Sequence, residues 1–131
     1  IANMIMDRVK TEDAIPYWDY DAPVTKETPR DVSAASVTAS AMIELSTMVP
    51  DGQKYLDYAE KILKSLSSDA YLAKVGDNQG FILMHSVGSL PNGSEIDTPL
   101  NYADYYYLEA LKRFMELKKL KVENGELRVI Q

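Results

Sequence analysis

The sequence predicts an all-α fold. Apolar residues recur at helical spacing in four segments, at about 1–10, 31–48, 53–66 and 100–120. Polar segments rich in Pro, Gly, Ser and Asn separate them, and only residues 81–85 resemble a short strand. Segments with small side chains alternate with segments that carry large apolar faces. This alternation favours helical hairpins stacked in a bundle, a solenoid or a barrel.

Length and composition narrow the possible functions. A chain of 131 residues suits one domain, and its net charge of −6 argues against nonspecific binding to nucleic acid or to an anionic membrane. No apolar run is long enough to span a bilayer. The absence of cysteine excludes disulfides and thiolate metal sites, and a single histidine argues against a histidine metal site. We expect no metal and no cofactor.

The first residues predict that the chain is a piece of a longer protein. Ile1 is not a start methionine, and residues 1–10 resemble the middle of an amphipathic helix. No basic region and cleavage site precede this helix, so no signal peptide is visible. Localisation therefore stays open between the bacterial cytoplasm and the periplasm.

An aromatic segment follows the first helix. Pro16, Pro23 and Pro29 predict an extended crossing rather than a helix. Within this crossing, residues 17–21 read Tyr-Trp-Asp-Tyr-Asp. The aromatics could form a sugar-stacking platform, or they could fix the loop to the core while the aspartates cap or face water.

The next two helices carry start signals. Asp31 is a suitable N-cap for a helix unusually rich in Ala and Ser, which we expect to be buried on more than one side. Asp51 is a candidate cap for residues 53–66, whose single apolar stripe predicts a surface helix.

The last third of the chain combines a short apolar segment, a loop and a long helix. Phe81 to His85 predicts a short strand or extended segment, and a loop rich in Ser, Gly and Pro runs to Pro99. A tyrosine-rich helix occupies about 100–120. Val122 to Ile130 predicts a terminal β-hairpin around an Asn-Gly turn.

No residue pattern identifies a catalytic centre. His85 precedes Ser86, but adjacency in sequence does not create a nucleophilic triad, and phosphate-binding glycine motifs are absent. Five acidic residues could act in glycosidic chemistry, with nothing in their spacing to select a pair: Asp19, Asp21, Glu95, Asp97 and Asp104. Asp97 also suits a turn or cap, and Asp104 could instead order the loop by hydrogen bonding.

Four blocks together resemble a known family. They read PYWDYDAP, PRDVSAASVTASAMIELS, YLDYAEKILKSLSSDAYLA and GFILMHSVGSLPNGSEIDTPLNYADYYYLEALKRF. In order and spacing they are similar to the C-terminal third of the unsaturated glucuronyl hydrolases, glycoside hydrolase family 88. The resemblance implies an (α/α)6 barrel of helical hairpins. Residues 1–131 would be the C-terminal portion of one catalytic domain, with the N-terminal part absent.

The resemblance also implies an activity. The family removes unsaturated uronic acid from oligosaccharides, such as glycosaminoglycan fragments, that polysaccharide lyases release. An aspartic acid protonates the C4=C5 vinyl ether bond, water adds, and the glycosidic bond is lost without a cofactor. The family's catalytic aspartates lie in its N-terminal half, so the resemblance implies no catalytic residue here and an inactive chain when alone.

The resemblance supplies candidate substrate-binding residues. Some members carry Ser-x-x-Ser-x-Lys in the loop after the short strand, and its side chains bind sulfate or hydroxyls of the neighbouring sugar. Ser86 and Ser89 match the serines, but Pro91 replaces the lysine. This change implies unsulfated or differently sulfated fragments. Met84 and His85 are expected at the cleft rim, and His85 completes the predicted substrate-binding set.

Two alternative interpretations remain open. One is a fragment of the related unsaturated rhamnogalacturonyl hydrolases, and the other is a noncatalytic helical carbohydrate-binding or interaction module. If hairpins of a barrel are missing, apolar helix faces should be exposed. We therefore expect the chain to self-associate or to pair with the missing part.

Overall fold

A computed structural model describes residues 1–123, with side chains up to Leu120. Four α-helices match the four segments expected from the sequence. They are α1 (Ala2–Arg8), α2 (Val32–Ser46), α3 (Gln53–Leu66) and α4 (Asn101–Glu123). Helix α4 continues through Val122 and Glu123, so the expected hairpin was wrong at its first two residues. The rest of that prediction, residues 124–131, lies outside the described residues.

Helix α2 forms the centre of the fold. The Asp31 carboxylate accepts a hydrogen bond from the Ser33 amide at 3.0 Å, which confirms Asp31 as N-cap. Helix α2 packs against both α3 and α4, which barely touch each other. Fully buried Ala35, Ala39 and Ser40 leave room for this close approach from two sides.

Helix α3 begins differently from the expectation. Gly52, not Asp51, occupies the N-cap position, and the Asp51 carboxylate instead pairs with Lys54 at 2.7 Å. A Cβ atom on Gly52 would lie 1.9 Å from the Ser46 carbonyl oxygen at the end of α2. The α2–α3 turn therefore closes too tightly for a side chain at this position.

The expected short strand at 81–85 does not form. Within residues 1–123 the β contacts are isolated bridges, and this segment makes one of them, between Leu72 and Leu83. Most of its other backbone hydrogen bonds go to groups outside any strand pairing. The carboxylate of Asp104, in the first turn of α4, accepts from the amides of Ile82 and Leu83 at 2.8 and 2.9 Å. A helix-borne carboxylate thus replaces part of a β-ladder.

The core joins all these segments. Its buried residues include Ile15, Val32, Ile62, Leu66, Leu83 and Ala103. The 9–31 crossing is held down by Ala14 and Ile15 in this core, and by a hydrogen bond from Ser65 to the Asp13 carbonyl at 2.7 Å. At the end of this crossing, hydrogen bonds join Asp31 and Val32 to Val87 and His85, so the two loops lie side by side.

Candidate substrate-recognition loop

The segment from Met84 to Thr98, here called the 84–98 loop, doubles back on itself. Ser86 and Thr98 exchange backbone hydrogen bonds of 2.9 and 3.0 Å, and the Gly88 amide donates to the Glu95 carbonyl at 2.7 Å. A further bridge joins Ser89 to Ser94. The loop therefore has a paired base and middle although it contains no strand.

Asp31 ties this loop to α2. Its buried carboxylate accepts from the Val87 amide at 3.2 Å as well as from the amide and hydroxyl of Ser33. In return, the Val32 amide donates to the His85 carbonyl at 3.1 Å. Sequence reasoning predicted the cap but missed this second role, because a contact over 56 residues leaves no local signal.

The two predicted serines lie in different environments. Ser86 is fully buried, and its hydroxyl has no hydrogen-bond partner among the described residues. Ser89 is half-buried, and its hydroxyl accepts from the Asn92 side chain at 2.8 Å. The structure brings both serines into one loop, and their role in binding stays a prediction.

His85 has an unusual backbone and a carboxylate partner. Its φ of 70° and the φ of 50° at Asp97 lie in the left-handed region, which side chains other than Asn, Asp and His rarely tolerate. The His85 Nδ1 atom lies 2.6 Å from Asp97 Oδ1. The Tyr71 ring meets the imidazole edge-on, with 6.3 Å between ring centroids. The positions of Asp97 and Tyr71 fix the histidine ring from two sides.

A charged network supports Tyr71. Its hydroxyl donates to Asp13, which also accepts from the Ile15 amide and from Arg30, both at 3.1 Å. Burial alone would raise the pKa of Asp13, but these hydrogen bonds and the arginine charge lower it overall. Burial and the bond to Asp13 raise the pKa of Tyr71, so its hydroxyl remains a donor.

An open groove connects the two loops. It has a volume of about 520 Å³ and is lined by residues 26–30, Ala70, Tyr71, His85, Ile96 and Asp97. We call it the His85 groove. The groove carries two basic side chains, Lys26 and Arg30, and two acidic ones, Glu27 and Asp97. This balance suits a neutral polar ligand group better than a strongly charged one.

The aromatic segment does not present a flat platform of three rings. The Arg30 guanidinium covers the Tyr17 ring at 4.5 Å, Trp18 is half-buried, and Tyr20 is 37% exposed. Asp19 and Asp21 face solvent, and Asp21 pairs with Arg8. The aspartates face water, as one interpretation expected, but neither Trp18 nor Tyr20 belongs to the core cluster, so the choice between loop attachment and sugar stacking stays open.

The part of the chain that the structure describes offers little other chemistry. No group of three His, Asp or Glu side chains there could hold a metal ion. No helix among the described residues is long and apolar enough to cross a membrane. Asp104, one of the five acidic candidates, orders the 81–83 segment, as its alternative interpretation predicted.

Comparison with known proteins identifies relatives. No family model matches the chain. An unsaturated glucuronyl hydrolase of Formosa agariphila is 48% identical over 106 residues, which is 81% of this chain and 26% of the relative. A crystal structure described as unsaturated glucuronyl hydrolase specific for heparin is 63% identical, with a TM-score of 0.87 over 90% of this chain and 32% of the other.

The chain belongs to the unsaturated glucuronyl hydrolase family. The structure of the Bacillus sp. GL1 enzyme agrees, with 28% identity and a TM-score of 0.77 over 95% of this chain and 31% of the other. These neighbours are helical (α/α)6 barrels, which confirms the expected fold and family. The chain spans only about 26–32% of these relatives, so it is a fragment of a glucuronyl hydrolase.

Proposed function

We propose that the whole glucuronyl hydrolase removes an unsaturated uronic acid from the non-reducing end of lyase-generated glycosaminoglycan fragments. The main support is the 63% identity to the structure described as specific for heparin. Relatives named unsaturated chondroitin disaccharide hydrolase are 30–32% identical. Fragments of heparin are therefore the substrates to test first, before fragments of chondroitin.

The proposed reaction is hydration followed by loss of the sugar. An aspartic acid adds a proton to C4 of the C4=C5 double bond, and water adds its oxygen to C5 and returns a proton to the enzyme. The resulting hemiketal opens, and the glycosidic bond breaks to release the remaining oligosaccharide. The resemblance assigns both aspartates to a part of the family outside these 131 residues, so we expect the chain alone to be inactive.

We assign residues 1–131 the C-terminal portion of one barrel domain, in which they supply barrel helices and a recognition loop. The attachment of Val87 to Asp31 at 3.2 Å supports this assignment, because it holds the 84–98 loop on a rigid helix. The hydroxyls of Ser86 and Ser89 would bind the sugar next to the uronate. The Ser86 hydroxyl is unpartnered among the described residues but fully buried, so it would reach a sugar only if the loop shifted, whereas the half-buried Ser89 is accessible in this geometry.

The Ser-x-x-Ser-x-Lys pattern of some family members ends in a lysine. A sulfated substrate would need another cation in its place here. Pro91 lies within a 3-10 turn, Leu90–Asn92, and carries no charge. Lys26, across the His85 groove, has no ion-pair partner among the described residues. Because Glu27 and Asp97 line the same groove and offset Lys26 and Arg30, we propose that this chain supplies no sulfate contact in place of the usual lysine.

The test is hydrolysis by the whole protein. Loss of the ultraviolet absorbance of the conjugated uronate should follow addition of unsaturated heparin disaccharides, and chondroitin disaccharides should react more slowly. Unsaturated rhamnogalacturonan disaccharides form the third arm. Reaction with only that third substrate would replace the proposal by the pectin-specific alternative. No reaction with any of the three would favour the noncatalytic module.

A further inference from the structure

The His85–Asp97 pair has a geometry that the general role of a recognition loop does not require. Both residues have left-handed backbones, with φ values of 70° and 50°. Each immediately precedes one member of the Ser86–Thr98 bridge, whose two backbone bonds are 2.9 and 3.0 Å long. Because the bridge is antiparallel, His85 and Asp97 lie diagonally across it, one at each end, and their side chains meet with 2.6 Å between Nδ1 and Oδ1.

The carboxylate determines the tautomer of the imidazole. A carboxylate only accepts hydrogen bonds, so the proton of a neutral His85 resides on Nδ1. Nε2 then carries a lone pair and is an acceptor. No described residue bonds to Nε2, and the side chain is 42% exposed where it lines the His85 groove.

The surroundings favour a hydroxyl over an ion as the partner of Nε2. The charged groups around the ring are Asp97, Glu27, Lys26 and Arg30, and they balance. Arg30 is already engaged by Asp13. The Tyr71 ring lies edge-on to the imidazole, and its hydroxyl already donates a hydrogen bond to Asp13. An open, charge-balanced groove with one fixed acceptor suits a ligand rich in hydroxyl groups.

We propose that Asp97 is a positioning residue that holds His85 in the Nδ1–H tautomer, so that Nε2 accepts a hydrogen bond from one sugar hydroxyl. The identity of the ligand rests on the proposed function, whereas the fixed tautomer rests on the geometry alone. His85 would select substrates by that hydroxyl, because a site that bonds a hydroxyl discriminates against the analogue lacking it.

The first experiment measures the tautomer by nitrogen NMR. The whole protein is labelled with 15N-histidine, and the His85 signals are assigned by their loss in His85→Asn. At about pH 8.5, where a histidine is ordinarily neutral, His85 should show a protonated Nδ1 and a bare Nε2. Asp97→Ala should shift the ring toward the Nε2–H form, and Asp69→Asn, an exposed acid in another loop, should not. A mainly Nε2–H ring in the unaltered protein would overturn the proposal.

The second experiment measures kcat/KM with monodeoxy analogues of the unsaturated disaccharide. In the unaltered protein, kcat/KM should be about tenfold lower for one analogue than for the parent disaccharide, mainly because KM rises. In His85→Ala, that analogue and the parent disaccharide should have the same kcat/KM. Asp97→Ala should reproduce the His85→Ala defect, and the double variant should be no worse than either. Equal rates for all analogues, or additive losses in the double variant, would reject the positioning role.

The two experiments separate the possible failures. If the unaltered protein hydrolyses no unsaturated sugar, the proposed function fails, and the NMR measurement still decides whether Asp97 fixes the tautomer. Asp97→Asn covers the case in which Asp97→Ala fails to fold. Its amide oxygen can still accept from Nδ1–H, so the proposal expects a smaller defect than in His85→Ala, and an equal or larger defect would contradict it.

Discussion

Asp104 Oδ1 lies 2.9 Å from the backbone nitrogen of Leu83, although the two residues are 21 positions apart. Oδ2 of the same carboxylate binds the Ile82 amide at 2.8 Å. Asp31 performs a similar task one segment later, where it binds Val87. Two helix-borne carboxylates therefore hold the backbone on either side of His85, and the recognition loop depends on both helices.

Replacement of Asp104 should loosen this attachment. In Asp104→Asn one amide would face an NH₂ group instead of an acceptor, and we expect a loss of about 1–3 kcal/mol in the free energy of unfolding. Denaturant titration gives that value, and hydrogen exchange of the Ile82 and Leu83 amides reports the local effect. Asp69→Asn is the matched control. Unchanged exchange at both amides would contradict the assigned role.

Gly52 should tolerate no side chain. Its φ of −63° is ordinary, so Gly52→Ala isolates the steric effect of a Cβ 1.9 Å from a backbone oxygen. We expect a loss of about 3 kcal/mol, at the upper end for overpacked sites. Gly76→Ala is the control, since a Cβ there meets nothing within 4 Å. Its only expected loss of stability comes from the positive φ of that position. Equal losses in the two variants, measured by urea unfolding, would refute the steric explanation.

Asp13 should make the fold sensitive to acid. Its folded-state pKa is lowered below the ordinary value of 3.8, so its contribution to stability is fully present above 3.8. That contribution disappears as the pH falls through the folded-state pKa. Asp13→Asn should therefore be less stable than the unaltered chain near neutral pH, with the gap closing below about pH 4. A gap that is constant with pH would show that the charge of Asp13 does not contribute.

The buried hydroxyl of Ser86 should not stabilise the fold. Ser86→Ala removes an unpartnered polar atom, and we expect no loss of stability, or a gain of about 1 kcal/mol. Ser36→Ala is the control, because the Ser36 hydroxyl donates to the Val32 carbonyl at 2.9 Å. In the whole protein the same Ser86→Ala change should weaken substrate binding by about 1 kcal/mol. Lower stability of Ser86→Ala would contradict the first expectation, and unchanged kinetics in the whole protein would contradict the second.

The exposed side of α4 should drive association. Tyr105, Leu108 and Met115 are 60%, 52% and 59% exposed on one stripe of the helix. We expect the isolated chain to self-associate in sedimentation experiments, and the double variant Leu108→Glu, Met115→Glu to be mainly monomeric. Val75→Glu, on an exposed loop, is the control. A folded monomer at all concentrations would contradict the prediction that this face covers other barrel helices.

The sequence predicted α2, α3 and α4 because their signals are local. Apolar spacing and the Asp31 side chain act within a few residues, so no knowledge of distant contacts was needed. Asp51 failed as a cap because the α2–α3 turn closes on Gly52, a close approach that depends on where α2 ends. Residues 81–85 failed as a strand because an apolar run does not reveal which groups will satisfy its amides.

The loop shows where tertiary structure decides. Residue types and resemblance predicted Ser86, Ser89 and His85 as one group, and the fold places them in one loop. Only the packed structure pairs His85 with Asp97, buries the Ser86 hydroxyl, and attaches Val87 to Asp31. Each of these contacts joins residues that are far apart in sequence, or depends on a strained backbone that distant hydrogen bonds stabilise. Local composition therefore determined the helices, and long-range hydrogen bonding determined the geometry of the recognition loop.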